Sequence, residues 1–214
     1  LSRLLDAAPT LRDAPTAAGL TCLEYAALGG NVSAVDELLS RGAVGGGVLP
    51  PLHCAALSGC AETTSLLLAS LLASRPDDLN ALCASGWAPL HVASAAGALG
   101  PMRALLSAHA DVGLLTSDGL SALDLASSCG HADVVAELVS AMGEAGGSAL
   151  AAMVEPAPGT ALPLPLLCAA MSGDVECVRA LADGAAPYGM MSDGSSDVAA
   201  AAGWLHGGSF DDTM

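Results

Sequence analysis

The sequence predicts an all-α fold in which helix-turn-helix repeats stack into a solenoid, with β-hairpin-like loops between successive repeats. Three observations support this prediction. Five segments align with one another, a small set of positions holds Leu, Ala or Gly in every copy, and aromatic residues make up only 2% of the chain. A core of Leu, Val and Ala suits small, closely packed helices better than a large β-sandwich.

The five aligned segments begin at Thr21, Pro50, Ala88, Ser121 and Leu164. Their agreement lies within one chain, so it needs no comparison with homologues. Two residues after its start every copy has Leu, five after it Ala, nine after it Gly, and seventeen after it Leu again. The Leu and Gly columns are Leu23, Leu52, Leu90, Leu123 and Leu166, then Gly30, Gly59, Gly97, Gly130 and Gly173, then Leu38, Leu67, Leu105, Leu138 and Leu181.

Each aligned segment begins with residues typical of a helix N-terminus. Thr21 with Glu24, and Ser121 with Asp124, have the spacing of a capping box, in which side chains satisfy free backbone N–H groups. The other three copies have Pro at the expected first helical position, which tolerates Pro well. These prolines are Pro51, Pro89 and Pro165.

The Gly column predicts where each first helix ends, because a residue without Cβ adopts the left-handed conformation of a helix C-terminus without penalty. A second helix follows, with apolar residues at helical spacing such as Val35, Leu38 and Leu39. The small residues of the Ala column allow paired helices to approach closely. Turns such as Ser117-Asp118-Gly119 then lead into the next copy.

These segments resemble the ankyrin repeat, whose pattern is T-P-L-H-x-A-A-x-x-G followed by V-x-x-L-L and G-A-D. APLHVASAAG with LLSAHADV is a close match, and PLHCAALSG from Pro51 is similar. The resemblance covers residues 1–187 and implies an ankyrin-repeat solenoid. Counted from the loop before each segment, a partial repeat spans 1–16, and complete repeats begin near residues 17, 46, 84, 117 and 160.

The intervals between the copies depart from a regular period of about 33 residues. The second interval is long, which predicts a longer second helix through Leu71 or a longer loop near Arg75. The last interval predicts an insert over residues 143–160, rich in Gly, Ala and Pro, as a disordered or Ω-like excursion. Residues 188–214 are interpreted as a degenerate sixth repeat, centred on 192–208, or as a flexible tail.

Charge and cysteine placement exclude several functional classes. A net charge of −16 argues against nucleic acid and against an anionic membrane as partners. The apolar run over 66–73 is too short to insert directly into a bilayer. Seven Cys without a C-x-x-C pair do not form a secreted disulfide framework, so we expect an intracellular location in the cytoplasm or nucleus. The start at Leu1 leads us to expect a piece of a longer chain.

The residues capable of chemistry are better explained by structure than by catalysis. His53 and His91 share a column with Glu24, Asp124 and Leu167, and this variety predicts a structural position in which the imidazole bridges neighbouring loops. Cys54 and Cys168 are interpreted as small apolar filler, whereas Cys60, Cys129 and Cys177 are expected to be partly exposed. We therefore expect no enzyme activity, no metal site and no cofactor.

The resemblance implies a surface for a protein or peptide partner, since ankyrin proteins bind through loop tips and the inward face of the first helices. Trp87 is either an anchor for the partner or packs across its own hairpin. The predicted tip residues are Ala17, Ala18, Leu20, Ala84, Ser85, Trp87, Ser117, Asp118 and Leu120. The predicted helix residues are Leu28, Leu57, Ser58, Ala95, Ala96, Ser128, Cys129, Met171 and Ser172.

Two classes of function fit these observations, and a third interpretation assigns the chain no selected function. The chain is a scaffold or adaptor that recognises a protein on its concave face. Alternatively, it is a regulatory or targeting segment of a larger enzyme or channel whose catalytic or membrane domain lies elsewhere. The irregular intervals also fit a drifting copy of the family without a selected partner. The sequence does not identify the partner.

Overall fold

The computed structural model describes residues 12–71, 75–144 and 164–185. The chain divides into two compact units, residues 1–122 and 123–214. The described part is helical and contains no β-strand; an isolated antiparallel bridge joins Leu115 and Ser121. The predicted all-α class is therefore confirmed. The partial repeat before residue 12 and the segment 188–214 lie outside the described residues.

The described residues of the first unit contain three helix pairs. The first helices contact each other in the order α1, α3, α5, and the second helices in the order α2, α4, α6. Each first helix also contacts the second helix of its own pair, as stacked repeats require. The helices are α1 (Cys22–Leu28), α2 (Val32–Ser40), α3 (Pro51–Ser58), α4 (Ala61–Leu71), α5 (Pro89–Ala95) and α6 (Leu99–Ser107).

The second unit contains α7 (Ala122–Ser128), α8 (Ala132–Glu144), α9 (Leu164–Ser172) and α10 (Val175–Ala185). Helix α10 packs on both α8 and α9. Helix α8 continues to Glu144, two residues into the segment predicted to be an insert. The remainder of that insert, residues 145–160, lies outside the described residues.

The repeated columns form the core and end the helices as predicted. Both Leu columns are buried in all five copies. The five glycines of the Gly column have φ between 62° and 76°, so each adopts the left-handed conformation expected after a first helix. Pro51 and Pro89 begin their helices, but Pro165 is the second residue of α9, because Leu164 already has helical geometry.

Three loops of the first unit form the same tight turn, and we call them tips 16–20, 83–87 and 116–120. In each tip the first backbone N–H donates to the carbonyl of the last residue, at 2.8 to 2.9 Å. The fourth residue is a left-handed glycine: Gly19, Gly86 or Gly119. These turns are the predicted hairpin-like connections between repeats.

The long second interval contains both a longer second helix and a longer loop, the two alternatives that the sequence left open. Helix α4 runs to Leu71, and a short 3-10 helix, Pro76–Leu79, follows in the loop. Arg75 at the start of this helix forms an ion pair with Asp78 and donates to the carbonyl of Val44. The additional residues thus brace the loop before tip 83–87.

Candidate functional site

Each first helix of the first unit holds the loop that follows its own repeat through one side chain, always from the same column. Glu24 on α1 accepts hydrogen bonds from the backbone N–H groups of Gly46 and Gly47, at 3.0 and 2.7 Å. His53 on α3 donates from Nε2 to the carbonyl of Trp87, at 2.8 Å. His91 on α5 donates from Nε2 to the carbonyl of Leu114, at 3.0 Å. The predicted structural role of both histidines is confirmed.

The second ring nitrogen distinguishes the two histidines. Nδ1 of His91 accepts the backbone N–H of Ala88, the residue before its helix, at 3.0 Å. The corresponding residue before His53 is Pro50, which has no N–H. Nδ1 of His53 has no hydrogen-bond partner and the side chain is fully buried. Glu24 satisfies the same backbone position of its own repeat, Thr21 N–H, at 2.7 Å.

Burial favours the neutral form of both imidazoles. Burial lowers the pKa of His53 below its usual value, although the carbonyls of Trp87 and Ala81 and the charge of Asp78 act in the opposite direction. Burial also lowers the pKa of His91, against the effect of its hydrogen bond to Leu114. Neutral, buried and hydrogen-bonded side chains position loops and do not suggest a metal or catalytic site.

All of the residues predicted to meet a partner are exposed or partly exposed, and none is buried. In the first unit, Trp87 and Leu120 are half-buried in their tips, whereas Asp118 is exposed. Leu57 projects from α3 with 49% of its surface exposed. In the second unit, Met171 on α9 is 87% exposed and Cys129 is exposed. Their role in binding remains a prediction.

The sequence reasoning missed one column in the loops between the repeats of the first unit. Val44, Leu82 and Leu115 each precede the start of an aligned segment by six residues, and they are 44%, 53% and 52% exposed. Their common register and apolar character were visible in the sequence. The predicted loop positions were the turn residues themselves, and these three residues are not among them.

The predicted surface of the first unit is nearly uncharged in a strongly acidic chain. Asp118 is the one charged residue among its predicted positions, while the whole sequence has a net charge of −16. Several arginines form ion pairs with acids one to four residues away, among them Arg41 with Glu37 and Arg75 with Asp78. The surface therefore offers apolar contact and hydrogen bonding more than charge.

Cysteine placement requires one correction. Cys60 is partly exposed and Cys129 is exposed, but Cys177 is fully buried, because α10, on which it lies, packs on α8 and α9. Burial, with the nearby Asp174, raises the pKa of Cys177 to about 12. Burial likewise raises the pKa of Cys54 to about 12, in agreement with its role as filler.

Cys83 was not singled out by the sequence, although it begins tip 83–87. Its Sγ lies 3.3 Å from the hydroxyl of Ser85. Burial on its own would raise the pKa of this thiol, but hydrogen bonds from the Ser85 hydroxyl and from the backbone of Trp87 and Ser85 lower it below its usual value. Thr16 and Thr116 occupy the same position in the other two tips, and their hydroxyls form hydrogen bonds within the turn. The thiol of Cys83 therefore has a structural explanation in its own turn.

Within residues 12–71, 75–144 and 164–185, no group of three or more His, Cys, Asp or Glu side chains is arranged to hold a metal ion. The described helices include none with both the length and the apolar character needed to cross a bilayer.

The comparisons with known proteins agree with the observed repeat. The family model of ankyrin repeats matches residues 52–147, in three copies. A search among curated proteins found no match. The resemblance stated from the residues is thus confirmed over this range, and the helix pairs have the all-α ankyrin-repeat fold.

Proposed function

We propose that the chain is a protein-interaction module of the scaffold or adaptor type, and the match of residues 52–147 to the family model of ankyrin repeats supports this proposal. Ankyrin repeats are in general modules of protein–protein interaction. The finer proposal is that a protein or peptide partner contacts the tips and the exposed side of the first helices. The chemistry proposed for the chain is binding without catalysis.

The observation that carries this proposal is the exposed apolar surface of the first unit. Leu57, Val44, Leu82 and Leu115 each leave about half of their surface in solvent, although the core of the unit is made of the same residue types. Exposed apolar groups on a rigid scaffold are typical of surfaces that bind another protein. The tip residue Trp87 adds a side chain of the kind enriched in binding hot spots.

The cysteines support an intracellular location, in the cytoplasm or the nucleus, which is also a proposal. All seven cysteines are free thiols, and they lie in both units of the described chain. Free thiols of this number are typical of reducing compartments.

Affinity capture with matched variants tests the proposed surface. Immobilised wild-type protein is compared with a variant carrying Trp87→Ala and Asp118→Arg, and with Asp36→Arg as a control at an exposed position of α2. We expect the double variant to lose at least about tenfold of the captured partner, as removal of a hot spot does, while the control retains it. Each variant must keep the wild-type helical circular-dichroism signal.

Equal capture by the double variant and the wild type would remove Trp87 and Asp118 from the binding surface. Loss of capture in the control as well would indicate an effect of charge alone, since Asp36→Arg changes charge as Asp118→Arg does.

A further inference from the structure

The starting point of the inference is an asymmetry between two otherwise equivalent histidines. His53 and His91 occupy the same position of consecutive repeats, and each holds the backbone of the following loop through Nε2. Nδ1 of His91 is occupied by the N–H of Ala88, whereas Pro50 leaves Nδ1 of His53 as a buried polar atom without a partner. A proton that adds to Nδ1 of His53 therefore displaces no hydrogen bond, but the N–H that it creates has no acceptor.

From this geometry we propose that His53 is a proton sensor that releases tip 83–87, and with it Trp87, when the pH falls. Protonation would place an N–H at Nδ1 inside the protein with no acceptor, which is costly in a buried site. Opening the tip relieves this cost, because it breaks the contact with the Trp87 carbonyl and exposes the ring to water. The consequence for binding rests on the proposed function of the tips.

Among the titratable and charged groups around the tip, we expect His53 to be the one whose protonation changes as the pH falls. From the 3-10 helix, Asp78 favours the protonated ring, and from α5, His91 disfavours it. Glu24 on α1 already accepts three backbone N–H groups. Glu62 on α4 and Arg103 on α6 are exposed. Cys54, beside His53 on α3, has a pKa of about 12 and stays neutral.

The direction of the pH dependence follows from burial. An imidazole in the open tip has a pKa near 6.5, whereas burial lowers the pKa of His53 in the closed tip. The open form therefore binds the proton more tightly. The closed tip keeps its full stability above about pH 6.5 and loses stability as the pH falls below that value.

Quenching of Trp87 fluorescence by acrylamide tests the proposal in the absence of any partner. The chain has two tryptophans, so Trp204→Phe leaves Trp87 as the only emitter. We expect the quenching constant to rise about twofold between pH 7.5 and 5.0, as a histidine with a lowered pKa predicts. The far-UV circular-dichroism signal should stay constant over this range.

Two neighbouring proline substitutions serve as a matched pair in the Trp204→Phe background. Pro50→Ala supplies the missing N–H to Nδ1, and we expect it to lower the midpoint of the transition by about half to one pH unit. Pro51→Ala also removes a proline, but its N–H is one residue further on, so its midpoint should equal that of the unsubstituted background. Equal midpoints for Pro50→Ala and Pro51→Ala would overturn the proposal.

His53→Gln should abolish the transition, since Gln does not titrate, and persistence of the transition in this variant would also overturn the proposal. If His53→Gln loses its helical signal, titration of the His53 ring by NMR in the background protein decides. A pKa below 6.5 that coincides with the opening of the tip supports the sensor, and a pKa at or above 6.5 contradicts it. Because no step uses a partner, failure here leaves the proposed binding function standing.

Discussion

At the scale of single residues, His109 shows where the repeat pattern is filled by an unsuitable side chain. It lies at φ 64°, the one residue other than glycine with a positive φ in the described chain. The same position of the first repeat holds Gly42, at φ 76°. In the matching segment LLSAHADV, His109 stands where the G-A-D element of the ankyrin pattern has its glycine, and its backbone has the left-handed conformation that glycine adopts without strain.

We predict that His109→Gly raises the free energy of unfolding by about 1 kcal/mol, because glycine avoids the clash of Cβ in the left-handed region. Ala108→Gly is the control, since Ala108 has an ordinary φ of −85° and glycine there gains nothing. Urea denaturation of the three proteins measures the difference. Equal changes in both variants would show that the backbone strain at His109 is negligible.

Single residues also limit what the sequence predicted for the site. That His53 and His91 serve as structural bridges followed from the variety of their column. The missing hydrogen bond at Nδ1 of His53 could not be predicted in the same way, because it depends on which backbone N–H faces the ring. Pro50 was interpreted only as part of a helix start. Cys177 was misplaced for a related reason: exposure depends on the neighbouring helix that covers α10.

At the scale of elements, the loop over residues 44–49 is the one connection in the first unit without the common turn. It bears Val48 where the tips have glycine, and it is held instead by the carboxylate of Glu24. Gly47 fits against that carboxylate and the carbonyl of Gly19, where a Cβ would overlap both groups. A Cβ at Gly46 would meet open space.

We predict opposite effects for alanine at these adjacent glycines. Gly47→Ala should lower the free energy of unfolding by roughly 2 kcal/mol, because the loop must move away from Glu24. Gly46→Ala should raise it by about 0.5 kcal/mol, since it restricts only the unfolded chain. Urea denaturation compares the two, and a Gly47→Ala variant as stable as the wild type would mean that Glu24 does not hold this loop.

The sequence predicted the buried faces and the ends of the helices more fully than it predicted which loop residues are exposed. The Leu and Gly columns specify which helix faces are buried and where the first helices end, because both depend on the sequence within one repeat. The exposed column of Val44, Leu82 and Leu115 depends on how each loop leaves the helix before it. The irregular second interval left helix and loop equally open, and the structure uses both.

At the scale of the whole molecule, the positions predicted to contact a partner in the first unit carry one charge, that of Asp118, although the chain has a net charge of −16. That contrast favours a partner that contributes apolar side chains, and it is the basis of the proposed binding function. The net charge argues against nucleic acid as a partner, and the structure adds where apolar residues such as Leu57 and Leu115 meet solvent.

Site-specific photo-crosslinking tests the central claim most directly. A photoreactive phenylalanine analogue is placed at Leu57 or Leu115, within the surface, and at Asp36 or Glu62, which are exposed on second helices. The proposed function predicts a covalent adduct with the captured partner from Leu57 and Leu115, and none from Asp36 and Glu62. Adducts from Asp36 or Glu62 without adducts from Leu57 or Leu115 would contradict it.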